Sequence, residues 1–342
     1  MTLRVCILGA TGLVGRETID LVARAWPGAS LDLYASRDQE LAHGGRSYPV
    51  RAASSLEQSG AKGGDVAFVA LDDDFSKRYV PRLLELGYHV VDKSNTYRSD
   101  PAVVLGVAGV NHDLVTRDVR LVANPNCTTI PFTLAAAPLQ KRFGLSGATV
   151  STYQAISGAG IVALDEFIAE SRARYGDSDR LGSGFDASRY AANTVPHNGG
   201  TDASGFSSEE RKLVFESRKI LRQQGFAISA QCCRVPVAVG HYENAWLRLE
   251  RAATIEELED SLRAVPFVHF FPGTTGAGLS ALAAVADRDR ALVGRVRLDE
   301  SDPSGKTVCL TVVGDNLRLG AATNAVRLAS NWFASADPAL AC

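Results

Sequence analysis

The sequence predicts an α/β protein of two domains, and three observations carry that expectation. Its 342 residues are more than one ordinary domain needs, and 46% of them are hydrophobic, ample for two cores. In the first third, short apolar runs alternate with helix-like segments, the pattern of a parallel sheet covered on both faces. In the second half the strand-like segments look antiparallel rather than wound, which suits an α+β domain.

Taken in order, "LRVCILGATGLVGRETIDLVARA" is a buried strand at 5–8, a glycine turn and an amphipathic helix with apolar residues at helical spacing. "SLDLYAS" gives a second strand. "DVAFVAL" and "YHVVDKS" give two more, separated by the helix "SKRYVPRLLELG", which its glycine ends. "VRLVANPN" is another strand, and "TTIPFTLAAAPL" the helix after it. In the second domain "SGATVSTYQAISGAG" is an alternating strand entering a small-residue loop, and "IVALDEFIAESRARYG" is a charged amphipathic helix. A long polar, glycine-rich stretch, 176–205, follows. Then come a helix, "SEERKLVFESRKILRQ", and the strands "AISAQCCRVPVAV" and "NAWLRLERA". The final "GAATNAVRLASNWFA" is a helix expected to pack back on the first domain.

Composition excludes several classes. With 36 basic and 38 acidic residues the net charge is −2, which gives no electrostatic case for nucleic acid or an anionic membrane. The six cysteines form no CxxC pairs, as expected of reduced thiols. The start lacks a secretory pattern and no apolar run is long enough to span a bilayer, so a soluble cytoplasmic protein is expected. No cluster with metal-ligand spacing occurs.

Gly9, Gly12 and Gly15 follow a strand and open a helix, where glycine lets the backbone approach a pyrophosphate held by helix N-terminal amides. This marks a Rossmann-type dinucleotide-binding domain. After the second strand Ser36 and Arg37 precede any acidic residue, which suits the 2′-phosphate of NADP. Cys127, in "NPNCTTIP", falls at a helix N-terminus, where the dipole and free amides favour a thiolate and could hold an oxyanion. Pro131 fits the first turn. Arg234 and His241, seven apart in "CCRVPVAVGHYEN", are expected at opposite ends of one short element. The arginine could bind a carboxylate and the histidine carry protons. His43, His89, His112 and His269 are expected to be structural.

Together "GATGLVG", "VDKSNTYR", "NPNCTT", "TYQAISGAG", "EERK", "RVPVAVGH" and "VGDNLRLGAATNAV" resemble, in order and over nearly the whole chain, the aspartate-β-semialdehyde dehydrogenases. The NPNCTT form separates the chain from the sister reductases of N-acetylglutamyl phosphate, which look more like NPGCY. The resemblance implies an NADP-binding domain at 1–126, completed by a C-terminal helix at 320–342, and a catalytic and dimerisation domain at 127–319. It implies Cys127 as nucleophile, His241 as general acid/base and Gln154 as orienter. Arg234 would hold the α-carboxylate, and Asn126 would also touch substrate. Arg98 and Lys212 would form the phosphate site, and Glu209 would meet the amino group. Gly9, Thr11, Gly12, Leu13, Val14, Ser36, Arg37, Ser157, Gly158 and Asn316 would line NADP. Partners would be the small substrate, phosphate and further copies of the chain, as a homodimer or homotetramer. The pathway would be synthesis of lysine, threonine and methionine.

Three stretches depart from the family's pattern. Where a serine-alanine-glycine-glycine stretch is usual near the cofactor, this chain has Asp72, Asp73 and Asp74, which repel a pyrophosphate unless they turn to solvent. "VVLGVAGVN" replaces a proline-leucine-valine-valine-proline-glutamate run. Tyr242 and Glu243 follow the histidine, where a small residue is usual. A related acyl-phosphate or acyl-CoA reductase is the alternative; Arg98 and Lys212 argue for phosphate.

Overall fold

A computed structural model describes residues 2–175, 189–196 and 200–342. Most of the glycine-rich stretch read at 176–205 therefore lies outside the described residues. The chain divides into two compact units, Met1–Asn126 with Gly320–Cys342, and Cys127–Leu319.

The first unit holds β1 (Arg4–Leu8), β2 (Ser30–Ala35), β3 (Gln39–His43), β4 (Arg46–Ala52), β5 (Val66–Val69), β6 (His89–Asp92), β7 (Val104–Leu105) and β8 (Leu121–Ala123). They form one sheet in the order β3-β4-β2-β1-β5-β6-β8-β7, parallel except for the β3–β4 pair. The apolar runs are continuous because alternate residues feed different cores. Val5 and Ile7 pack in one cluster with Ile19 and Val22 of α1 (Leu13–Ala25) and with Val326 and Leu328 of the C-terminal helix Asn324–Ser330. Cys6 and Leu8 pack in another with Tyr79, Val80 and Leu83 of α2 (Asp73–Glu85). The β3–β4 hairpin was not legible as strands, because its residues are largely polar. It closes on Gly44 and Gly45, both at positive φ (56° and 73°), as a two-residue hairpin loop needs.

The second unit holds α3 (Thr129–Phe143), β9 (Leu145–Gln154), α4 (Ile161–Tyr175), β10 (Val195–Pro196), α5 (Ser208–Ile220), β11 (Ala227–Arg234), β12 (His241–Leu249), α6 (Ile255–Arg263), β13 (Val268–Phe271), α7 (Ala281–Ala286), β14 (Ala291–Leu298) and β15 (Thr307–Gly314). The sheet order is β10-β11-β9-β12-β15-β14-β13. It is mixed rather than antiparallel throughout: β9 pairs with β11 in parallel, since helices α4 and α5 carry the chain back between them. β12 runs antiparallel to both β9 and β15.

That topology gathers the site. Parallel β9 and β11 end at the same edge, with Gln154 opposite Arg234. Antiparallel β12 begins there with His241, opposite Gly314 at the end of β15. Arg234 and His241 therefore lie on two strands flanking β9, not at the ends of one element. Each strand turns at this edge, so the chain breaks the predicted single run at Val235–Gly240.

Candidate active site

Cys127 lies immediately before α3, whose first turn has no acidic residue and no side-chain cap on its amides. Those amides and the positive end of the helix dipole favour a thiolate at this point. The Cys127 Sγ lies 3.2 Å from His241 Nε2. Four other cysteines are unsuited to that chemistry, since burial pushes their thiols up: Cys6, Cys309, Cys232 to about 12 and Cys342 to about 11. All six are free.

The histidine ring is fixed from behind. Its Nδ1 accepts a hydrogen bond from the main-chain N–H of Ala155, at 3.0 Å. The carbonyl of the same residue accepts one from Arg234 Nη1, at 2.7 Å. Both side chains are buried, Arg234 4% and His241 1% exposed. Gln154, one residue back on β9, is also buried, and its Oε1 has no partner among the described residues. A desolvated acceptor of that kind costs free energy unless something donates to it.

The loops beyond the strand ends are tied to one another. Ile156 N–H and Ser157 N–H donate to the carbonyls of Val237 and Ala238. Asn316 Oδ1 accepts from Gly240 N–H at 2.9 Å, while its Nδ2 donates to Ser157 Oγ at 2.9 Å. The Ser157 and Asn316 side chains are thus engaged with each other, and Gly158 is exposed beside them. On α5, Lys212 Nζ stands 3.5 Å from Glu209 Oε1, one turn apart and half-buried. A capping box between Ser207 and Glu210 fixes the start of that helix.

The remaining candidates belong to the first unit. Gly9, at φ 83°, and Gly15 are required there: a Cβ on Gly9 would meet the Ala70 carbonyl oxygen at 2.5 Å, and one on Gly15 would collide with the Gly9 carbonyl. Gly12 caps α1 without a side chain, and the first turn has no acidic residue. Thr11, Leu13 and Val14 flank it, half-buried. Ser36 and Arg37 are exposed just past β2, whereas Asp38 accepts from Ala52 N–H at 2.8 Å. Arg98 and Asn126 are buried, and Arg98 Nη2 donates to the Lys93 carbonyl.

The three aspartates have a structural explanation. Asp72 caps α2 by accepting from Phe75 N–H at 3.1 Å. Asp73 accepts from Asn95 N–H at 2.7 Å, and Asp74 points to solvent near Lys77. Acidic residues in a first turn complement the helix dipole. The four histidines expected to be structural are engaged too: His43 with Asp20, His269 with Asp287, His89 with the Arg117 carbonyl and His112 with Gly109 N–H. Among the described residues no group of three or more His, Cys, Asp or Glu could hold a metal ion, and no helix is long and apolar enough to cross a membrane.

Residues 4–117 match the family described as semialdehyde dehydrogenase, NAD binding domain, and residues 136–319 match semialdehyde dehydrogenase, dimerisation domain. The chain belongs to the semialdehyde dehydrogenase family. It is 34% identical to an aspartate-semialdehyde dehydrogenase of Aquifex aeolicus, over 96% of this chain and 97% of that one. The enzyme of that name from Mycolicibacterium smegmatis is 35% identical over 94% and 96%. Among solved structures it is similar to aspartate semialdehyde dehydrogenase II complexed with ASA from Vibrio cholerae, with a TM-score of 0.86 at 29% identity, covering 97% and 98% of the two chains. The family gives the chain an NAD(P)-binding domain and a domain of self-association. Cys127 falls between the two matched segments, so its role rests on geometry.

Two participants were not legible in the sequence. Ala155 acts only through its main chain, so no side-chain signal marks it. Glu243 appeared only as a departure after the histidine. It sits two residues beyond His241 on β12, opposite Thr152 of β9, fully buried, with neither carboxyl oxygen partnered among the described residues.

Proposed function

We propose that the protein is an NADP-dependent aspartate-semialdehyde dehydrogenase. It would interconvert L-aspartyl 4-phosphate with L-aspartate 4-semialdehyde and phosphate through a thioester on Cys127. The observation that carries this reading is the 3.2 Å approach of Cys127 Sγ to His241 Nε2 beside an uncapped helix N-terminus. Its support is a chain whose relatives at 34% and 35% identity, matched over nearly their full length, bear that name.

In the reductive direction the Cys127 thiolate attacks the acyl-phosphate carbon, the S–C bond forms, and phosphate departs with the electrons of its C–O bond. The helix amides and His241 Nε2 stabilise the charge that collects on the carbonyl oxygen. Arg234 offers a fork of donors for the α-carboxylate. Gln154, with its idle buried oxygen, suits a donor on the substrate, and Glu209 suits the amino group. Lys212 and Arg98 supply cationic groups for phosphate, with Asn126 beside Cys127 in the chain.

For the cofactor, the close-packed Gly9 and Gly15 and the open start of α1 fit a pyrophosphate. Arg37 at the end of β2, with Asp38 turned onto Ala52 N–H, favours the 2′-phosphate of NADP over the free ribose of NAD. Bound NADPH supplies the hydride that turns the thioester into the aldehyde. Ser157, Gly158 and Asn316 shape the loop beside the nucleophile that we assign to the nicotinamide side. The same reading puts the enzyme in the cytoplasm, in lysine, threonine and methionine synthesis, as a homodimer or homotetramer. Light scattering would tell the two assemblies apart.

Oxidation of aspartate semialdehyde by NADP should require inorganic phosphate. A rate unchanged when phosphate is omitted, or one driven by coenzyme A instead, would overturn the acyl-phosphate assignment.

A further inference from the structure

His241 has two ring nitrogens with different neighbours, and those neighbours fix where its proton resides. A main-chain N–H can only donate, so the 3.0 Å contact from Ala155 N to His241 Nδ1 requires Nδ1 to be the unprotonated, accepting nitrogen. A neutral ring then carries its hydrogen on Nε2, which faces Cys127 Sγ at 3.2 Å. We propose that the Ala155 amide is a positioning group that holds His241 in the neutral Nε2–H tautomer, so that His241 acts as a hydrogen-bond donor and does not pass through an imidazolium. This rests on the reading of Cys127 and His241 as the reacting pair.

An imidazolium would need a second hydrogen on Nδ1, pointing at the Ala155 N–H. Two donors would then confront each other where Ala155 is fully buried and His241 is 1% exposed. A buried donor left without an acceptor costs about 1–3 kcal/mol. Arg234 opposes the second proton as well. Its Nη1 and the His241 Cε1 and Nε2 atoms lie within 2.9, 3.4 and 3.5 Å of a single point, the position of a Cβ on Gly158. A permanent guanidinium so close to the ring disfavours a second positive charge.

The neighbouring acids and bases do not reverse this. Glu243, two residues along β12, is held as a neutral carboxyl by its burial. Cys232, in the same cross-strand row, is a neutral thiol for the same reason. Beyond β15, the Asp315 carboxylate is engaged with Arg288 and with the amides of Leu317 and Arg318. On α5, Glu209 faces Lys212.

The chemical consequence is a division of labour. The thiol proton of Cys127 leaves to solvent, and the resulting thiolate accepts from Nε2–H. When sulfur bonds to the carbonyl carbon and the π pair moves to oxygen, the sulfur no longer needs that donor. Nε2–H can then serve the new oxyanion without transferring its proton. As the carbonyl re-forms and the leaving group departs, the hydrogen bond returns to the ring's starting partner. The ring stays neutral and the proton count balances at every stage. A neutral imidazole used as an electrophile in this manner is a known solution in another enzyme fold.

The test reads the tautomer directly. Long-range 1H–15N correlation spectra of the full-length enzyme, labelled at histidine nitrogen, should show one neutral form of His241 with Nδ1 unprotonated. The signal, assigned by its loss in His241→Gln, should hold across about pH 6 to 8, through the range where an ordinary histidine titrates. Replacing the residue-155 amide by an ester, with lactic acid in place of Ala155, removes that one donor and keeps the shape. In that protein His241 should gain a proton on Nδ1 and titrate within the same range. An imidazolium or an Nδ1–H tautomer in the unmodified enzyme at pH 7 would overturn the proposal, as would an ester protein with unchanged spectra. These spectra need no turnover, so loss of phosphate-dependent activity with the expected tautomer would count against the function alone.

Discussion

Arg234 and His241 face one another across Gly158. A Cβ at that position would lie 2.9 Å from Arg234 Nη1 and 3.4 Å from His241 Cε1. The glycine is not at positive φ, so its absence of a side chain serves the space between the two groups rather than the backbone. Nothing else would have to move to admit a methyl group except the guanidinium, whose place is set by its bond to the Ala155 carbonyl.

Gly158→Ala should therefore behave as a displacement of Arg234. We expect KM for aspartate semialdehyde to rise by about tenfold, equivalent to about 1.4 kcal/mol. The melting temperature should stay close to that of the wild type, because Gly158 is exposed. Steady-state kinetics beside a thermal melt will separate the two. An unchanged KM would mean that Arg234 does not hold the carboxylate.

Cys127→Ala should lower kcat by at least about 10³-fold, because the covalent step loses its only nucleophile. Binding of NADP, followed by fluorescence or calorimetry, should stay within about twofold, since Gly9, Gly12 and Gly15 lie in the other unit. Substantial residual turnover would instead point to direct attack on the substrate by another group.

How far the sequence disclosed this arrangement depended on what kind of signal each part leaves. Buried parallel strands such as 5–8 announce themselves, because both faces need apolar residues. The glycine turn is legible because only glycine tolerates contacts as close as those of Gly9 and Gly15. Cys127 stood out by being polar in its surroundings. The β3–β4 hairpin was silent because an edge of polar residues lacks hydrophobic periodicity. Arg234 and His241 were misjudged as ends of one element, since spacing along the chain does not reveal that β9 lies between their strands. Main-chain groups, such as those of Ala155, have no sequence signature at all.

The aspartates at 72–74 looked like a change of substrate and are instead a helix start. Asp72→Ala should remove the cap on Phe75 N–H and cost about 1 kcal/mol of stability. Asp72→Asn should recover most of it, because the amide oxygen can accept the same bond. A denaturant titration will measure both. If Asp72→Ala left the midpoint unchanged, the cap would carry no weight in this fold.

Glu243 offers a pH-dependent test of the core beneath the site. Burial raises its carboxyl well above the ordinary value of 4.5, and neither oxygen has a partner among the described residues. The folded state therefore binds this proton more tightly than the unfolded state. Between the unfolded value near 4.5 and the raised folded value, increasing pH draws the proton from the unfolded chain first and so lowers stability. Glu243→Gln keeps the shape and cannot ionise. Its melting temperature should lie nearest that of the wild type at about pH 4, and the gap should widen in favour of glutamine as the pH rises towards 8. A parallel pair of melting curves over that range decides it. A gap that stayed constant, or narrowed as pH rose, would mean that Glu243 is ionised and held by a counter-charge, and with it the account of a neutral floor under His241 would fall.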